Sequence, residues 1–384
     1  MKVVVLKERR PFERRVAATP DSVKRLIALG CEMIVEKDAG WGALIPDQAY
    51  REMGATIADD VRAVIGSADI VLKVQRPMTA AEGRDEIAGM KPGALLIGML
   101  SPAADRAQVD AYAAARVTAF SLEFLPRITR AQSMDVLSSQ SNLAGYKAVL
   151  DATAEFGRAF PMMMTAAGTI APAKVMVLGA GVAGLQAIAT AKRLGAVVSA
   201  TDVRMAAKEQ VESLGGKFVM VDSDEMKNAE TSGGYAKEMS EDFKRRQEEL
   251  VRETLKKQDI AICTALIPGR QAPRLISAET VRGMKPGSVI IDLAVEQGGN
   301  CELSKPGEVV DVGGVKVVGH INVPSRLATD ASQLYARNIV NFLALVIDKA
   351  SQTVKVNWDD EIVAATALTR DGAVVHSSLK PKAA

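Results

Sequence analysis

The segment Gly179-Ala180-Gly181-Val182-Ala183-Gly184 stands between two apolar runs, Lys174 to Leu178 and Leu185 to Leu194. The first run reads as a buried strand and the second as a helix, so the glycines fall on a strand–turn–helix junction. In that context a first glycine permits the tight turn and a second lets backbone approach a pyrophosphate. A third lets the helix pack closely on the sheet. The helix N-terminus then presents N–H groups and the positive end of its dipole to phosphate oxygens. Asp202 closes the next apolar stretch, Val197 to Thr201, and lies 18 residues past Gly184. Dinucleotide-binding folds place the acid that meets the adenosine ribose about 20 residues on. A carboxylate there accepts from ribose hydroxyls and repels a 2′-phosphate, so NAD is expected in preference to NADP.

A chain of 384 residues is too long for one core and predicts two domains. Its net charge of +2 and its 4% aromatic residues give no footing for nucleic acid. The three cysteines, Cys31, Cys263 and Cys301, are far apart, form no metal-ligand spacing and fit a reducing cytosol. Met1 to Lys7 holds too short an apolar run for a signal peptide. No uncharged apolar run reaches the roughly 18 residues that cross a bilayer, so work at a membrane would require a partner to hold the chain there.

The start reads βαβ: Val3–Leu6, then a helix over Asp21–Leu29, then Met33–Val35. An internal echo follows. Asp69-Ile70 precedes Met90-Lys91-Pro92-Gly93 and an apolar run, and Asp259-Ile260 precedes Met284-Lys285-Pro286-Gly287 and another. The two offsets, 190 and 194 residues, agree closely and predict two α/β domains of related plan. Helical spacing marks 138–160 and 330–350 as long helices, and Asp371-Gly372 marks a hairpin. The fold expected is two Rossmann-like, doubly wound parallel sheets joined by long helices. Residues 1–137 with 348–384 would form the first domain and 138–347 the second. The long helices would act as struts, with chemistry in the cleft beside them. The polar stretch Asp222–Leu250, with Gly233-Gly234-Tyr235 in it, is either an exposed loop before a solvated helix or a lid over bound nucleotide.

A second polar concentration runs from Pro126 to Asn142, at the entry to the first long helix. Capping occupies one or two of its groups; the others are either solvated or oriented toward a ligand. Gln132 can pair with a nicotinamide carboxamide, and Arg127 and Asp135 can fix each other. Proton carriers are scarce. Histidine is the commonest general base, and the chain has only His320 and His376, both better placed for structure than for catalysis. Arg15 and Lys73 are cations suited to a carboxylate substrate. Hydride exchange between two nicotinamides needs neither acid nor base, only two rings held face to face without water.

Over essentially its full length the chain resembles the NAD(H)-binding domain of proton-translocating NAD(P) transhydrogenases, in the form where that domain belongs to a separate alpha subunit chain. The resemblance is most specific in Arg127–Asp135, in Ser138–Tyr146, in Gly179–Leu194 with Asp202-Val203-Arg204, in Thr264–Gly269 and in Ile291–Glu296. It implies a homodimer that transfers hydride between NAD(H) on this chain and NADP(H) on a beta-subunit domain. Transfer would be coupled to proton movement through a second, membrane-spanning alpha chain and the beta subunits. This chain would be peripheral on the cytoplasmic face of the bacterial inner membrane. Carried over to matching positions, Arg127, Gln132, Asp135 and Ser138 surround the nicotinamide, with Ile128 and Thr129 beside them. Val182, Asp202, Val203, Arg204, Gly234 and Leu266 line the adenosine and pyrophosphate side with Gly179, Gly181 and Gly184, and Tyr235 lies on a loop closing over NAD. Alanine dehydrogenases resemble the same plan. Their substrate-binding Arg and Lys match Arg15 and Lys73 and their catalytic Asp falls at Glu296, but Met99 stands where their catalytic His falls. A third reading is a non-catalytic NAD-sensing dimer.

Overall fold

The structure is a computed structural model and describes residues 1–221, 223, 239–267 and 269–380. The chain forms two compact units, Met1–Gln140 with Ser325–Ala384, and Ser141–Pro324. Both carry the doubly wound sheet expected from the sequence.

In the first unit, β1 (Lys2–Val5), β2 (Glu32–Glu36), β3 (Thr56–Ala58), β4 (Ile70–Gln75), β5 (Leu95–Met99) and β6 (Thr118–Ser121) lie in the order β3-β2-β1-β4-β5-β6. Every pairing is parallel. Val3 and Val5 enter one core and Val4 and Leu6 the other, which is why the strands read as continuous apolar runs without alternation. The order reverses between β1 and β4, the place where such sheets open a crevice at their carboxyl ends. The C-terminal hairpin turns at Asp371 and Gly372, both with positive φ, as a two-residue hairpin requires. It docks on the first sheet through Leu368 N–H to the Ala119 carbonyl and the Thr369 hydroxyl to the Val117 carbonyl, at 2.8 and 2.7 Å.

The second unit begins with a separate hairpin, β7 (Met163–Thr165) and β8 (Gly168–Ile170). Its sheet comprises β9 (Lys174–Leu178), β10 (Val197–Thr201), β11 (Lys217–Phe218), β12 (Ile260–Cys263), β13 (Val289–Asp292), β14 (Val309–Val312) and β15 (Val315–Val318). The order is β11-β10-β9-β12-β13-β15-β14, parallel except for the β14–β15 edge pair. Val175 and Val177 face one core and Met176 and Leu178 the other.

The sequence echo has a structural cause. Asp69 and Asp259 each stand at the foot of the strand that crosses the switch point, β4 and β12. Each carboxylate accepts the N–H at the start of its unit's first strand, Lys2 at 2.7 Å and Lys174 at 2.9 Å. The lysine of each Lys-Pro-Gly turn closes the arrangement, Lys91 on Asp69 and Lys285 within 3.6 Å of Asp259. The repeated residues are a latch that fixes the register of the central strands.

One helix differs from its expected place. The sequence reading sets Ala328–Leu343 in the second domain, within 138–347, yet Tyr335, Ile339, Phe342 and Leu343 are buried in the first unit's core beside Val3 and Val5. Its apolar stripe marks a buried face without naming the sheet that buries it. This helix is therefore core, not a strut. It stops at Leu343 because Ile347–Asp348 turns back to pair with Thr353–Val354. The other long helix, Val136–Glu155, carries the chain from the first unit into the second.

Candidate functional site

The glycine turn takes three different shapes of space, one per glycine. Gly179 follows β9 with φ of +99°, and a Cβ there would stand 3.0 Å from the Ala265 nitrogen. Gly181 is the N-cap of helix Val182–Arg193, extended at φ −80° and ψ −166°, and a Cβ there would meet no described heavy atom within 4 Å. At Gly184 a Cβ would be driven into the Gly179 carbonyl oxygen. The first glycine thus makes the bend, the third brings helix and turn into backbone contact, and the second leaves the surface open. No side chain caps the helix, so its first N–H groups are left for an anion.

Asp202 lies at the end of β10 and is nearly buried, at 9% exposure. Its Oδ2 accepts the Ala180 N–H at 2.8 Å and Arg204 Nη2 at 2.8 Å; its Oδ1 accepts the Arg204 N–H and Nε, both at 2.9 Å. The carboxylate is saturated. A ribose diol reaches it only by replacing the Arg204 side chain, a competition that sequence reasoning did not foresee. Val203, half-buried, packs on the core beside it, while Val182 and Leu266 expose about two-fifths of their apolar surfaces.

Three residues to which the sequence reading gave no individual role shape this turn. The Thr264 hydroxyl donates to the Gly179 carbonyl at 2.9 Å. Asn300, fully buried, accepts the Ala265 N–H at 3.0 Å and donates to the Ala265 and Pro273 carbonyls at 2.9 and 2.7 Å. It thereby fixes the loop that carries Leu266. Gly145, in helix Val136–Glu155, lies so close to the Ala183 carbonyl that a Cβ would collide with it, which sets the first turn of the nucleotide helix. An asparagine after Gly298-Gly299 was the only available signal for Asn300.

The polar segment before that long helix lies in the first unit. Thr129–Met134 is a 3₁₀ turn whose Ala131 and Met134 are buried, while Arg127, Thr129 and Gln132 are exposed and Ile128 is half-buried. The Gln132 carboxamide has no hydrogen-bond partner among the described residues. Asp135 accepts the Ser138 N–H at 2.9 Å and its hydroxyl at 2.6 Å, which is N-cap geometry. The expected Arg127–Asp135 pair is not among these contacts; Asp135 is engaged by Ser138. Gly234 and Tyr235, and with them the lid reading, lie outside the described residues. Ser240 caps a charge-rich helix, Glu241–Leu255.

The cations suited to a carboxylate substrate are buried and already paired. Arg15 holds Glu13 at 2.8 and 2.6 Å and donates to Gln140 at 2.8 Å. The Lys73 ammonium lies 2.9 Å from Glu86 and 3.2 Å from Glu8. Burial pushes the Glu8 carboxyl above its ordinary range, against the pull of Lys73. Burial likewise raises the Cys31 and Cys301 thiols to about 11 and Cys263 well above its ordinary value, leaving no reactive thiolate at neutral pH.

An open glycine turn at an uncapped helix start, with an acid ending the neighbouring strand at a switch point, defines a dinucleotide-binding protein of the doubly wound class. Family models agree: residues 4–144 match the N-terminal and residues 148–377 the C-terminal domain of the alanine dehydrogenase/PNT family. The chain belongs to that family. It is 61% identical over 379 residues to an NAD(P) transhydrogenase alpha-subunit chain of Rhodospirillum rubrum, covering 99% of both chains. It is 30% identical to an alanine dehydrogenase of Halomonas elongata, covering 99% of this chain and 96% of that one. A transhydrogenase crystal structure from Sinorhizobium meliloti superposes with a TM-score of 0.88 at 52% identity, covering 98% of this chain and all of that one. Among the described residues no helix is long and apolar enough to cross a membrane.

Proposed function

We propose that this chain is the NAD(H)-binding component of a proton-translocating NAD(P) transhydrogenase, passing hydride directly between NADH and NADP⁺ held on a partner beta subunit. NADH lays its pyrophosphate over Gly181 and its adenosine ribose on Asp202, where it replaces the Arg204 side chain, beside Val182, Val203 and Leu266. Gln132 orients the nicotinamide carboxamide, with Arg127, Ile128, Thr129 and the Asp135–Ser138 pair around it. The observation that carries the reading is the unpartnered Gln132 carboxamide on a turn whose neighbours, Ala131 and Met134, are buried. A carboxamide so presented suits a carboxamide ligand. The chain supplies orientation and no proton transfer, consistent with Met99 where an amino-acid dehydrogenase needs its base.

The partner subunits hold the chain at the cytoplasmic face of the bacterial inner membrane and supply the proton path. The chain works as a homodimer. Support comes from the β7–β8 hairpin, whose Met163, Met164 and Ile170 are exposed together with Met162 just before it. A two-stranded hairpin is marginal alone in water, and adaptable methionines suit contact with a second copy.

The test mixes the chain, the NADP-binding partner, NADP⁺ and NADH deuterated at the nicotinamide C4, and follows deuterium into NADPH by mass spectrometry. Gln132→Asn keeps NADH binding and slows transfer on the order of 100-fold, since a displacement of about 1 Å has that effect. Normal turnover by that variant removes Gln132 from the mechanism, and absent transfer with the unsubstituted chain removes the function. NADH formed from alanine and NAD⁺ by this chain alone would establish the amino-acid dehydrogenase instead.

A further inference from the structure

The turn that presents Gln132 is fastened by side chains of two distant elements, the helices Ala328–Leu343 and Glu361–Thr366. Ser133 is the next residue, and its carbonyl stands at the end of the 3₁₀ turn, where the helical ladder offers no N–H. Two amides from one face of helix Ala328–Leu343 reach it: Asn338 Nδ2 and Asn341 Nδ2 each donate to the Ser133 carbonyl at 2.9 Å. Asn338 is nearly buried, and its Oδ1 accepts the Ser139 hydroxyl at 2.8 Å. One side chain therefore ties the turn to the first coil of helix Val136–Glu155. On the other side Arg130 forms a two-bond ion pair with Asp360 at 2.6 and 3.0 Å. Asp360 is itself fixed as the N-cap of helix Glu361–Thr366.

A 3₁₀ turn is a weak element, because its hydrogen bonds are poorly aligned and it rarely persists beyond three or four residues. This one runs for six residues, Thr129–Met134. A solvated Gln132 gains nothing from such bracing. A Gln132 that must hold a ring in a reactive pose does, because catalytic side chains need support that locks their geometry.

We infer that Asn338 and Asn341 are positioning residues for hydride transfer, acting through the Ser133 carbonyl to hold Gln132. The inference rests on the proposed function and assigns roles to residues outside the nucleotide site. Asn338→Asp and Asn341→Asp keep shape and remove the donor, and Asn338→Asp retains the oxygen that accepts from Ser139.

Each single variant slows deuterium transfer roughly tenfold, as loosened geometry does, and the pair slows it by less than the product of the two because both act through one carbonyl, with NADH affinity unchanged within about twofold. The decisive comparison uses Gln132→Ala as background. There the asparagine substitutions slow transfer no further, because residues acting through one group are not additive. Equal slowing in both backgrounds, or loss of NADH affinity in step with rate, overturns the inference. Should N338D fail to fold, N341D carries the same comparison from a half-buried position. Hydrogen exchange gives a readout independent of turnover: the paired variant speeds exchange over 129–135 and leaves 179–184 unchanged. Unaltered exchange over 129–135 overturns the inference even if no transfer occurs, whereas absent transfer by the unsubstituted chain counts against the functional reading alone.

Discussion

Gly181 and Gly184 should respond in opposite ways to the same added methyl group. At Gly181 the backbone is extended and the methyl would project into open space. Alanine there costs no strain and restricts the unfolded chain, a gain of about 0.4–1 kcal/mol. Melting should hold steady or rise by about 1–4 °C. The same methyl stands where a pyrophosphate must approach the helix start. Losing one charge-assisted hydrogen bond of about 1.5–3 kcal/mol weakens NADH binding about 10- to 100-fold. At Gly184 the methyl is forced against the Gly179 carbonyl and comes within 3.1 Å of the Thr264 hydroxyl. Overpacking of that kind costs about 1–3 kcal/mol, so Gly184→Ala should lower the melting temperature as well as the affinity. The assays are thermal melting and titration of NADH fluorescence. If Gly181→Ala binds NADH as tightly as the unsubstituted chain, the pyrophosphate does not pass over this turn and the site has been misread.

Two further perturbations test other regions of the molecule. Replacing Met163 and Met164 with Ser should leave each chain folded and shift sedimentation from dimer toward monomer; an unchanged dimer would show that the hairpin does not hold it. His376 stacks on Phe124 with ring centroids 4.3 Å apart, and its Nδ1 accepts from Ser378. Burial lowers its pKa below 6.5, despite a contact with the Ala365 carbonyl that raises it. The unfolded chain therefore takes up this proton more readily than the folded one. The contribution is complete above about pH 6.5 and fades as pH falls toward the folded value. Melting should lose stability on acidification through that window, and His376→Phe should flatten the loss. An equal loss in both proteins would discount His376.

What could be read from the sequence divides along a physical line. The glycine turn and the place of Asp202 after the next strand were legible because backbone freedom and charge at a fixed spacing mark such positions. Both doubly wound sheets were legible through continuous apolar strands and the Asp…Lys-Pro-Gly echo, although the echo's meaning, a carboxylate latch on the first strand, needs three-dimensional pairing to appear. Partners were not legible. The stripe on Ala328–Leu343 announced a buried face without its sheet. Arg204, two residues from Asp202, gave no sign that it would fill the carboxylate. Asn300, Asn338 and Asn341 are single amides whose roles exist only through carbonyls distant in sequence. Hydrophobic period reveals how a segment is covered, never by what.

The latched plan shared by the two units raises the question of how many nucleotides one chain binds. Both switch points begin alike. The N–H following the first strand, of Lys7 in one unit and Ala180 in the other, donates at 2.8 Å to the acid at the end of the second strand, Glu36 or Asp202. An arginine pairs with each acid, Arg9 with Glu36 and Arg204 with Asp202. The chemistry then diverges. After β9 come glycines that expose backbone. After β1 comes Leu6-Lys7-Glu8-Arg9, where Glu8 is buried beside Lys73 and Arg9 reaches Glu86 at 3.2 Å. Charged side chains, Lys7, Arg9, Glu36 and Arg84 among them, line the cavity there, and no open glycine follows β1 to let backbone approach a pyrophosphate. Calorimetric titration should accordingly find one NADH per chain, weakened about 10- to 100-fold by Gly181→Ala. A second site of similar affinity that survives Gly181→Ala would show that the first unit's crevice admits nucleotide despite its charges, and that glycine-borne backbone access is not what separates the two halves.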